Sequence, residues 1–379
     1  MISIVTFGAV CFGGYKLITR KDDRGNKNYD EFVFPEHLKY SSDQLLIDCN
    51  LDVPEDFSNK KLKSTEAHTI IFSDHSGKLH SLFSDNLRNT DYSEKKIYDD
   101  EGIYGAQKLW NTGKPDVESV CLNLFVSSMY FLNADSCNIS LGAECLRVNE
   151  EEGCYQGYPS GFGYNADIFP KELSFASLDD VVKKVTAQLD CADVHLTLDY
   201  EGFGVSKEMV LSQYCAVKSD GSYDCTLSDD DYESFEEYYQ IYARQKLQNL
   251  PVIYYKGGIN RESAPIRISY SKTGIRYLEI NRAFSFVESK EDIGAFATED
   301  DILEAIKNRY ENILSDCIYT VNKGGLYYYA YGNGNKMDFD MIPVWAFMVK
   351  EESRNNKNEV YSSMFLIDAV TGKEIPYEP

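Results

Sequence analysis

Residues 338–375, DFDMIPVWAFMVKEESRNNKNEVYSSMFLIDAVTGKEI, are the most regular and most apolar stretch of the chain. Apolar side chains occupy both alternating faces of its first half: Met341, Pro343, Trp345, Phe347 and Val349 on one face, and Ile342, Val344, Ala346 and Met348 on the other. This pattern predicts a strand covered on both sides, so we expect Trp345 in the core rather than at a binding site. A polar loop at 350–359 and a returning strand at 361–370 follow, and Gly372 suits a closing turn with positive φ.

Two upstream segments share a helix-then-strand pattern. Ser177 with Asp180, and Thr298 with Asp301, resemble capping boxes in which Asp replaces Glu. Apolar residues at helical spacing follow each cap: Val181, Val182, Val185 and Leu189 in the first helix, and Ile302, Ile306, Tyr310 and Ile313 in the second. A strand candidate comes directly after each helix, at 194–198 and at 317–321. The pattern predicts two related α+β units.

Other segments complete this expectation. Alternation from Leu45 to Val53 predicts a half-buried strand with one wet face. Ser228–Leu247 reads as a further capped helix, and Gly105–Trp110 as part of a short helix. The apolar stripe of the 228–247 helix is aromatic, with Tyr232, Phe235, Tyr239 and Tyr242.

Charge and cysteine content exclude several classes of function. The 379 residues carry a net charge of -23, which argues against nucleic-acid binding and against peripheral binding to an anionic bilayer. Ten cysteines occur without a CxxC motif, so a structural zinc site has no support. Two groups could form disulfides in an oxidising compartment: Cys137, Cys145 and Cys154, and the pair Cys215 and Cys225.

The N-terminal segment bears on localisation. Met1–Tyr15 has no charged side chain, which is short for a spanning helix but suits the apolar part of an export signal. No Lys or Arg precedes it, and the residues before Cys11 match a lipoprotein motif poorly. Three interpretations stay open: a degraded signal or lipoprotein anchor, a short membrane anchor, or a buried strand. We favour the first two, with a polar tether following.

A family resemblance adds to this reading. LIDAVTGKEI at 366–375 resembles the terminal hairpin of PepSY-type domains, and the preceding helix, strands and IPVW segment resemble the C-terminal halves of YycH/YycI-like regulatory lipoproteins. With IDCNLDVP at 47–54 and SLDDVVKKV at 177–185, the layout is similar to a Firmicutes lipoprotein family that is defined only as a domain of unknown function. The resemblance implies a membrane-tethered, extracytoplasmic protein of a Gram-positive bacterium that acts by contact.

These observations predict an α+β protein in which antiparallel sheets are each packed by helices, in two PepSY/YycH-like units. We assign 1–21 to the degraded signal or membrane anchor, 22–40 to the tether, 41–215 to the N-terminal unit and 216–379 to the C-terminal PepSY-like unit. With 379 residues, the chain is long enough to bury a sizeable hydrophobic core.

Searches for catalytic motifs give no assignment. HExxH, P-loop, GxSxG and GxGxxG patterns are absent from the sequence. Several residues of types that can carry chemistry are interpreted as solvated or structural: Ser160, the calcium-loop-like Asp220, Ser222 and Asp224, the carboxylates Asp338 and Asp340, and the histidines His68, His75, His80 and His195. We therefore expect no catalytic, cofactor-binding or metal-binding residues.

The expected function is that of an extracytoplasmic, non-enzymatic binding or regulatory protein. Its partner would be another protein or a component of the cell envelope, with the membrane reached only through the N-terminal segment. The alternative is a hydrolase that uses an unrecognised carboxylate or histidine site. A deep pocket with convergent acids or histidines would favour the enzyme, and a shallow aromatic groove or bare sheet edge would favour the binding protein.

Overall fold

A computed structural model describes residues 35–54, 62–84, 92–98, 104–110, 120–125, 127–133, 147–149, 154–155, 170–206, 216–217, 223–224, 236–254, 259, 264–287, 296–313, 315–332, 337–355 and 360–375. The predicted anchor at 1–21 lies outside these residues. The predicted tether at 22–40 lies outside them as far as residue 34, and a strand begins within it at His37.

Strand is the dominant structure of the described residues. The strands are β1 His37–Ser41, β2 Leu45–Asp52, β3 Thr65–Thr69, β4 Tyr92–Tyr98, β5 Tyr104–Trp110, β6 Val120–Leu124, β7 Met129–Asn133, β8 Arg147–Asn149, β9 Cys154–Tyr155, β10 Leu198–Val205, β11 Ala216–Val217, β12 Tyr223–Asp224, β13 Tyr238–Leu247, β14 Leu250–Ile253, β15 Ile266–Ser271, β16 Gly274–Ile280, β17 Phe284–Val287, β18 Cys317–Gly332, β19 Asp338–Ser353 and β20 Val360–Asp368. The α-helices are α1 Ser76–Ser84, α2 Leu178–Cys191 and α3 Glu299–Tyr310.

Sixteen of the strands form one mixed sheet. Twelve follow in the order β17-β3-β19-β18-β14-β13-β15-β16-β7-β6-β5-β4, while β1 pairs with β2, β2 with β18, β10 with β13, and β20 with β19. Most neighbours are antiparallel, but β18 pairs in parallel with both β2 and β14. The short pairs β8-β9 and β11-β12 stand apart from this sheet.

The predicted α+β fold, with separate antiparallel sheets each packed by helices, is therefore wrong. The described residues hold a single sixteen-stranded mixed sheet and only three α-helices. Local periodicity detected α2 and α3, but it carried no information on which distant strands pair. Pairing of β2 with β18 and of β7 with β16 makes the sheet continuous. The division into 41–215 and 216–379 stays a prediction.

Two of the three predicted capped helices, those that begin after Ser177 and Thr298, are confirmed. The hydroxyl of Ser177 accepts a hydrogen bond from the backbone N–H of Asp180 at 3.2 Å, and α2 follows. Thr298 and Asp301 form a reciprocal capping box at the start of α3, which satisfies two backbone donors that the helix leaves without partners. The apolar stripes are buried as expected, except for Ile313, which is partly buried beyond the end of α3.

The predicted helix at 105–110 is wrong, and so is the part of the predicted 228–247 helix that the structure describes, whereas 228–235 lie outside the described residues. Residues 238–247 form β13, which pairs with β10 on one side and β15 on the other, and 104–110 form β5. The spacing of Tyr239 and Tyr242 fits a helix, but aromatic residues favour strands when neighbouring strands are available. Because β13 has a pairing strand on each side, the segment is a strand and not a helix.

All three helices cover the same face of the sheet. A core cluster that contains α3 residues includes Leu247 of β13, and a second cluster that contains α1 and α2 residues includes Ala243 of the same strand. Residues four apart on a strand point to the same side, so both clusters lie on one face. We call the opposite side the helix-free face, because no described helix packs against it.

The strand β19 lies within the sheet, and the predicted burial of both faces holds at its centre, where Val344 and Ala346 on one face are fully buried, whereas Ile342 and Met348 on that face are only partly buried. Trp345 is fully buried in the helix-covered core, as expected. Pro343 lies inside β19. There, pairing with β3 ends at Met341 and pairing with β20 begins at Val344, so the missing N–H of proline falls where β19 changes neighbours.

Candidate functional site

A polar row crosses the helix-free face from one edge strand to the other. Each residue of this row is the direct register partner of the next, over eight neighbouring strands. Its members are Lys95, Gln107, Asn123, Tyr130, Glu279, Arg267, Tyr242 and Glu201. Their alternate neighbours, such as Ile241 and Leu278, belong to the helix-covered core, so the polar side chains point away from it.

Polar contacts hold this part of the face together. The hydroxyl of Tyr277 donates to Oε2 of Glu279 at 2.8 Å, and Arg267 lies 3.7 Å from the same carboxylate. In the adjacent row the hydroxyl of Ser269 donates to Oε1 of Gln240 at 2.7 Å. Because both Ser269 and Gln240 are buried, their mutual hydrogen bond offsets the cost of removing them from water.

The polar row meets an apolar surface at β18. Burial raises the pKa of the Tyr327 hydroxyl, against the opposing effect of Arg244. Beyond Tyr327 the face is apolar, with a buried cluster of Ile253, Ile259, Tyr327, Val344, Ala346 and Leu366. Side chains at its margin are only partly buried, and these include two cross-strand pairs: Tyr329 with Ile342, and Met348 with Met364.

The outer side of β20 is a bare strand edge. Among the described residues β20 pairs only with β19, apart from a bridge between Ile367 and Glu374 near its end. Tyr361 is 64% exposed, and Ser362 and Ser363 are also exposed.

A shallow groove of about 440 Å³ lies on the helix side of the C-terminal turn. Residues of α3 and the segment that follows it form one wall, and Gly372, Lys373 and Glu374 form the other. Arg309 and Glu374 form an ion pair across it at 3.7 Å. Both side chains are largely exposed, so this pair adds little stability. The groove has no convergent acids or histidines of the kind an active site requires.

Four polar residues come together where β3 pairs with β19: Glu66 and His68 on β3, and Asp338 and Asp340 on β19. Nδ1 of His68 lies 2.7 Å from Oδ1 of Asp338, and Asp340 is the direct partner of Glu66. Burial, with the nearby charge of Glu66, raises the pKa of the Asp340 carboxyl. Sequence reasoning named His68, Asp338 and Asp340, but it missed Glu66 because only strand register places it there.

The remaining histidines lie apart from this cluster. His75 contacts the carbonyl of Ala192 through Nδ1 at 3.1 Å, and His195 lies 2.9 Å from Asp190. Burial lowers the pKa of His80. Ser160 and the calcium-loop-like segment beginning at Asp220 lie outside the residues whose side chains are described. Within the described part, no group of three or more His, Cys, Asp or Glu side chains could hold a metal ion.

Four cysteines can be placed. Cys49 and Cys121 are buried, Cys191 is exposed and Cys317 is partly buried, all as free thiols. Burial raises the pKa of the Cys49 thiol to about 11, as suits a small core residue. The two predicted disulfide groups lie outside the residues whose side chains are described, so their pairing stays a prediction.

The helices also bear on membrane insertion. None of those that the structure describes has both the length and the apolar character to cross a bilayer.

Comparisons with known proteins show a shared fold. The chain is similar to the crystal structure of an uncharacterized protein from Eubacterium rectale ATCC 33656, with a TM-score of 0.57 and 16% sequence identity, over 91% of this chain and 94% of that chain. No protein-family model matches the chain, and no curated protein matches it. The resemblance to PepSY-type and YycH/YycI-like proteins therefore stays a prediction, and the likeness in structure concerns the fold alone.

Proposed function

We propose that this chain is an extracytoplasmic, non-enzymatic binding or regulatory protein that uses its helix-free face for recognition. One observation carries the proposal: the described helices all cover one side of the sheet, while the other side combines the polar row with partly exposed apolar pairs. Aromatic side chains and methionine are enriched where proteins recognise partners. Methionine is also flexible enough to adapt to a partner's surface.

The proposed partner is another protein or a component of the cell envelope. The net charge of -23 disfavours nucleic acid. An uncharged N-terminal segment and the resemblance to regulatory lipoproteins support attachment to the membrane of a Gram-positive bacterium through residues 1–21. In this proposal the chain acts by contact, as a protein that holds or restrains its partner.

Site-specific crosslinking tests the proposal. A photoreactive amino acid at Met348 places the crosslinker on the helix-free face, and the same group at Asn308 of α3 provides a matched control on the helix-covered side. In cells of the source organism, we expect a defined adduct from the Met348 variant and none from the Asn308 variant. Equal adducts from both positions, or none from either, would contradict recognition through this face.

A hydrolase is the second candidate, and the β3-β19 cluster is the observation that favours it. A carboxyl with a raised pKa can hold a proton for donation, and an adjacent ionised carboxylate can accept one from water. Asp340 and Glu66 would take these two roles, with Asp338 orienting His68.

Activity of the Asp340→Asn variant discriminates between the two candidates. A hydrolase predicts turnover of chromogenic ester, phosphate or glycoside substrates by the native protein, with a loss of at least about 100-fold in the variant. The binding proposal predicts no turnover by either protein, and crosslinking at Met348 that is unchanged by Asp340→Asn.

A further inference from the structure

The backbone of β20 offers hydrogen-bonding groups to a further strand. The N–H of Ala369 donates to the carbonyl of Pro343 on β19, whereas the carbonyl of Leu366 accepts from Ile375 on the opposite side. Backbone groups of successive residues in a strand point to alternate sides. The N–H and carbonyl groups of Ser362 and Met364 therefore point outward, like those of Leu366, and no neighbouring strand is described there.

The protein's own chain shows that this edge forms backbone hydrogen bonds on its outer side. Asp368 donates its N–H to the carbonyl of Lys373 at 2.8 Å, and the N–H of Ile375 donates to the carbonyl of Leu366 at 2.9 Å. These bonds occupy the last residues of β20. On the outer side of the first six residues, 360–365, no described strand pairs, and Tyr361, Ser362 and Ser363 are exposed.

The composition of β20 lacks the features that normally protect an exposed edge. Soluble proteins place charges, prolines or bulges at such edges to prevent unwanted pairing. Residues 360–367, VYSSMFLI, contain neither a charged residue nor a proline, and their register with β19 is continuous. An edge without these features, beside a partly exposed apolar surface, indicates a position where a partner docks.

Side chains on both sides of the edge define what would fit. On the helix-free face, Met364 pairs with Met348 and both are partly exposed. On the helix side, the ring of Phe365 packs against Tyr310 with centroids 5.5 Å apart, next to exposed Ser363. An added strand would therefore place one set of alternating side chains over the methionines and the other set beside α3.

Charge selects among extended partners. Glu351 and Glu352 of β19 are the direct partners of Tyr361 and Val360. Lys350, the partner of Ser362, forms an ion pair with Glu352 at 3.1 Å, so the start of the edge keeps a small acidic excess, in a chain with a net charge of -23. A second copy of this chain would carry the same charge to the same edge and be repelled. A cationic segment would be attracted.

We propose that β20 binds an extended, basic segment of a partner protein, about six residues long and apolar at every second position, by strand addition. The proposal rests on the binding function proposed above and assigns a second element of the recognition surface. The partner's backbone pairs with Ser362 and Met364, while its apolar side chains cover Met364 and Met348.

A proline substitution tests the backbone contribution. Ser362→Pro removes one outward N–H without removing a bond to β19, and edge strands tolerate proline. Ser362→Ala keeps the N–H and serves as the matched control. The probe is a fluorescent peptide, Lys-Val-Thr-Val-Thr-Val-Lys, together with a version N-methylated at its central valine, and fluorescence anisotropy measures binding to the full chain.

We expect the peptide to bind the native protein and Ser362→Ala equally. Binding should weaken by at least about tenfold with Ser362→Pro or with the N-methylated peptide, while both variants melt like the native protein. Equal binding by Ser362→Pro, or no binding by the native protein, would overturn strand addition. Dimerisation of the native protein that Ser362→Pro abolishes would also overturn it, because the occupant would then be a second copy.

The outcome for strand addition is separable from that for the broader function. If crosslinking from Met348 persists in Ser362→Pro while the peptide fails to bind, recognition through the helix-free face stands and strand addition falls. If the variant with the crosslinker at Met348 and no other substitution gives no adduct, recognition through the helix-free face is itself contradicted, whatever the peptide does.

Discussion

Asp340 on β19 stands directly opposite Glu66 on β3 in the strand ladder. Two carboxylates in direct cross-strand register repel each other when both are ionised. Burial and this repulsion together raise the pKa of Asp340. Glu66 lies on a short strand, β3, that pairs through four residues with β19 on one side and through four with β17 on the other.

Neutralising Asp340 should stabilise the protein at neutral pH. A raised pKa in the folded state means that folding binds a proton, so this carboxyl contributes stability at low pH. That contribution is lost as the pH rises from the ordinary Asp value of 3.8 through the raised folded value. We expect Asp340→Asn to raise the melting temperature at pH 7, with the gain shrinking as the pH falls through the raised folded pKa of Asp340 towards 3.8. A gain that is constant across pH would contradict this origin.

The ion pair between Arg276 and Glu236 should be sensitive to loss of one partner. Nη2 of Arg276 lies 2.6 Å from Oε2 of Glu236, and both side chains are largely buried. Burial alone would raise the pKa of Glu236, but hydrogen bonds from Ser271 and Arg276 lower it. Breaking a buried pair from one side leaves an uncompensated charge and typically costs about 3–5 kcal/mol.

Urea unfolding of two variants measures this coupling. Arg276→Met should lower the free energy of unfolding by about 3–5 kcal/mol. Adding Glu236→Gln should restore most of it, because the second change removes the unpaired buried charge. Additive losses in the double variant would show that the pair is not coupled.

Two glycines allow conformational strain to be separated from steric crowding. Gly274 and Gly372 have φ values of 118° and 67°, at which residues other than glycine are strained. A Cβ at Gly274 would contact nothing, whereas one at Gly372 would lie 3.0 Å from Cβ of Asp301, the residue that closes the α3 capping box.

Alanine at each position should therefore cost different amounts. We expect Gly274→Ala to lose about 1–2 kcal/mol from strain alone, and Gly372→Ala to lose more, because it also disturbs the cap of α3. Thermal and urea unfolding compare the two variants. Equal losses would mean that the turn moves away from α3 at no cost.

The core beneath α3 should not tolerate a charge. Ile306 is fully buried in the cluster that α3 shares with β2, β18 and β19. Ile306→Asp would bury an unpaired carboxylate, and we expect the variant to show no cooperative unfolding transition in circular dichroism. Ile306→Val should lose only about 0.5–1.5 kcal/mol, and Asn308→Asp, exposed on the same helix, should melt normally. A normal melting curve for Ile306→Asp would contradict this packing.

Features that depend on neighbouring residues in the chain, such as helix caps and alternating burial, could be predicted from the sequence. Hydrogen bonds that close within a few residues define the caps of α2 and α3, so Ser177 and Thr298 could be recognised from spacing alone. The alternation of β2 and the double burial of β19 were equally clear, because each reflects a repeat within one segment. Burial of Trp345 followed from the same repeat.

The pairing of distant strands had no such signature. Tyr239 and Tyr242 suit a helix or a strand, and the neighbours β10 and β15 decided for the strand. Partners far apart in the chain also formed the polar row, which joins Lys95 to Glu201, and brought Glu66 opposite Asp340. The caps, the alternating strands and the acidic charge can be read from the amino-acid sequence, because each depends on residues close together in the chain or on composition. The helix-free face of the sheet cannot, since strand order and register depend on contacts that local spacing does not encode.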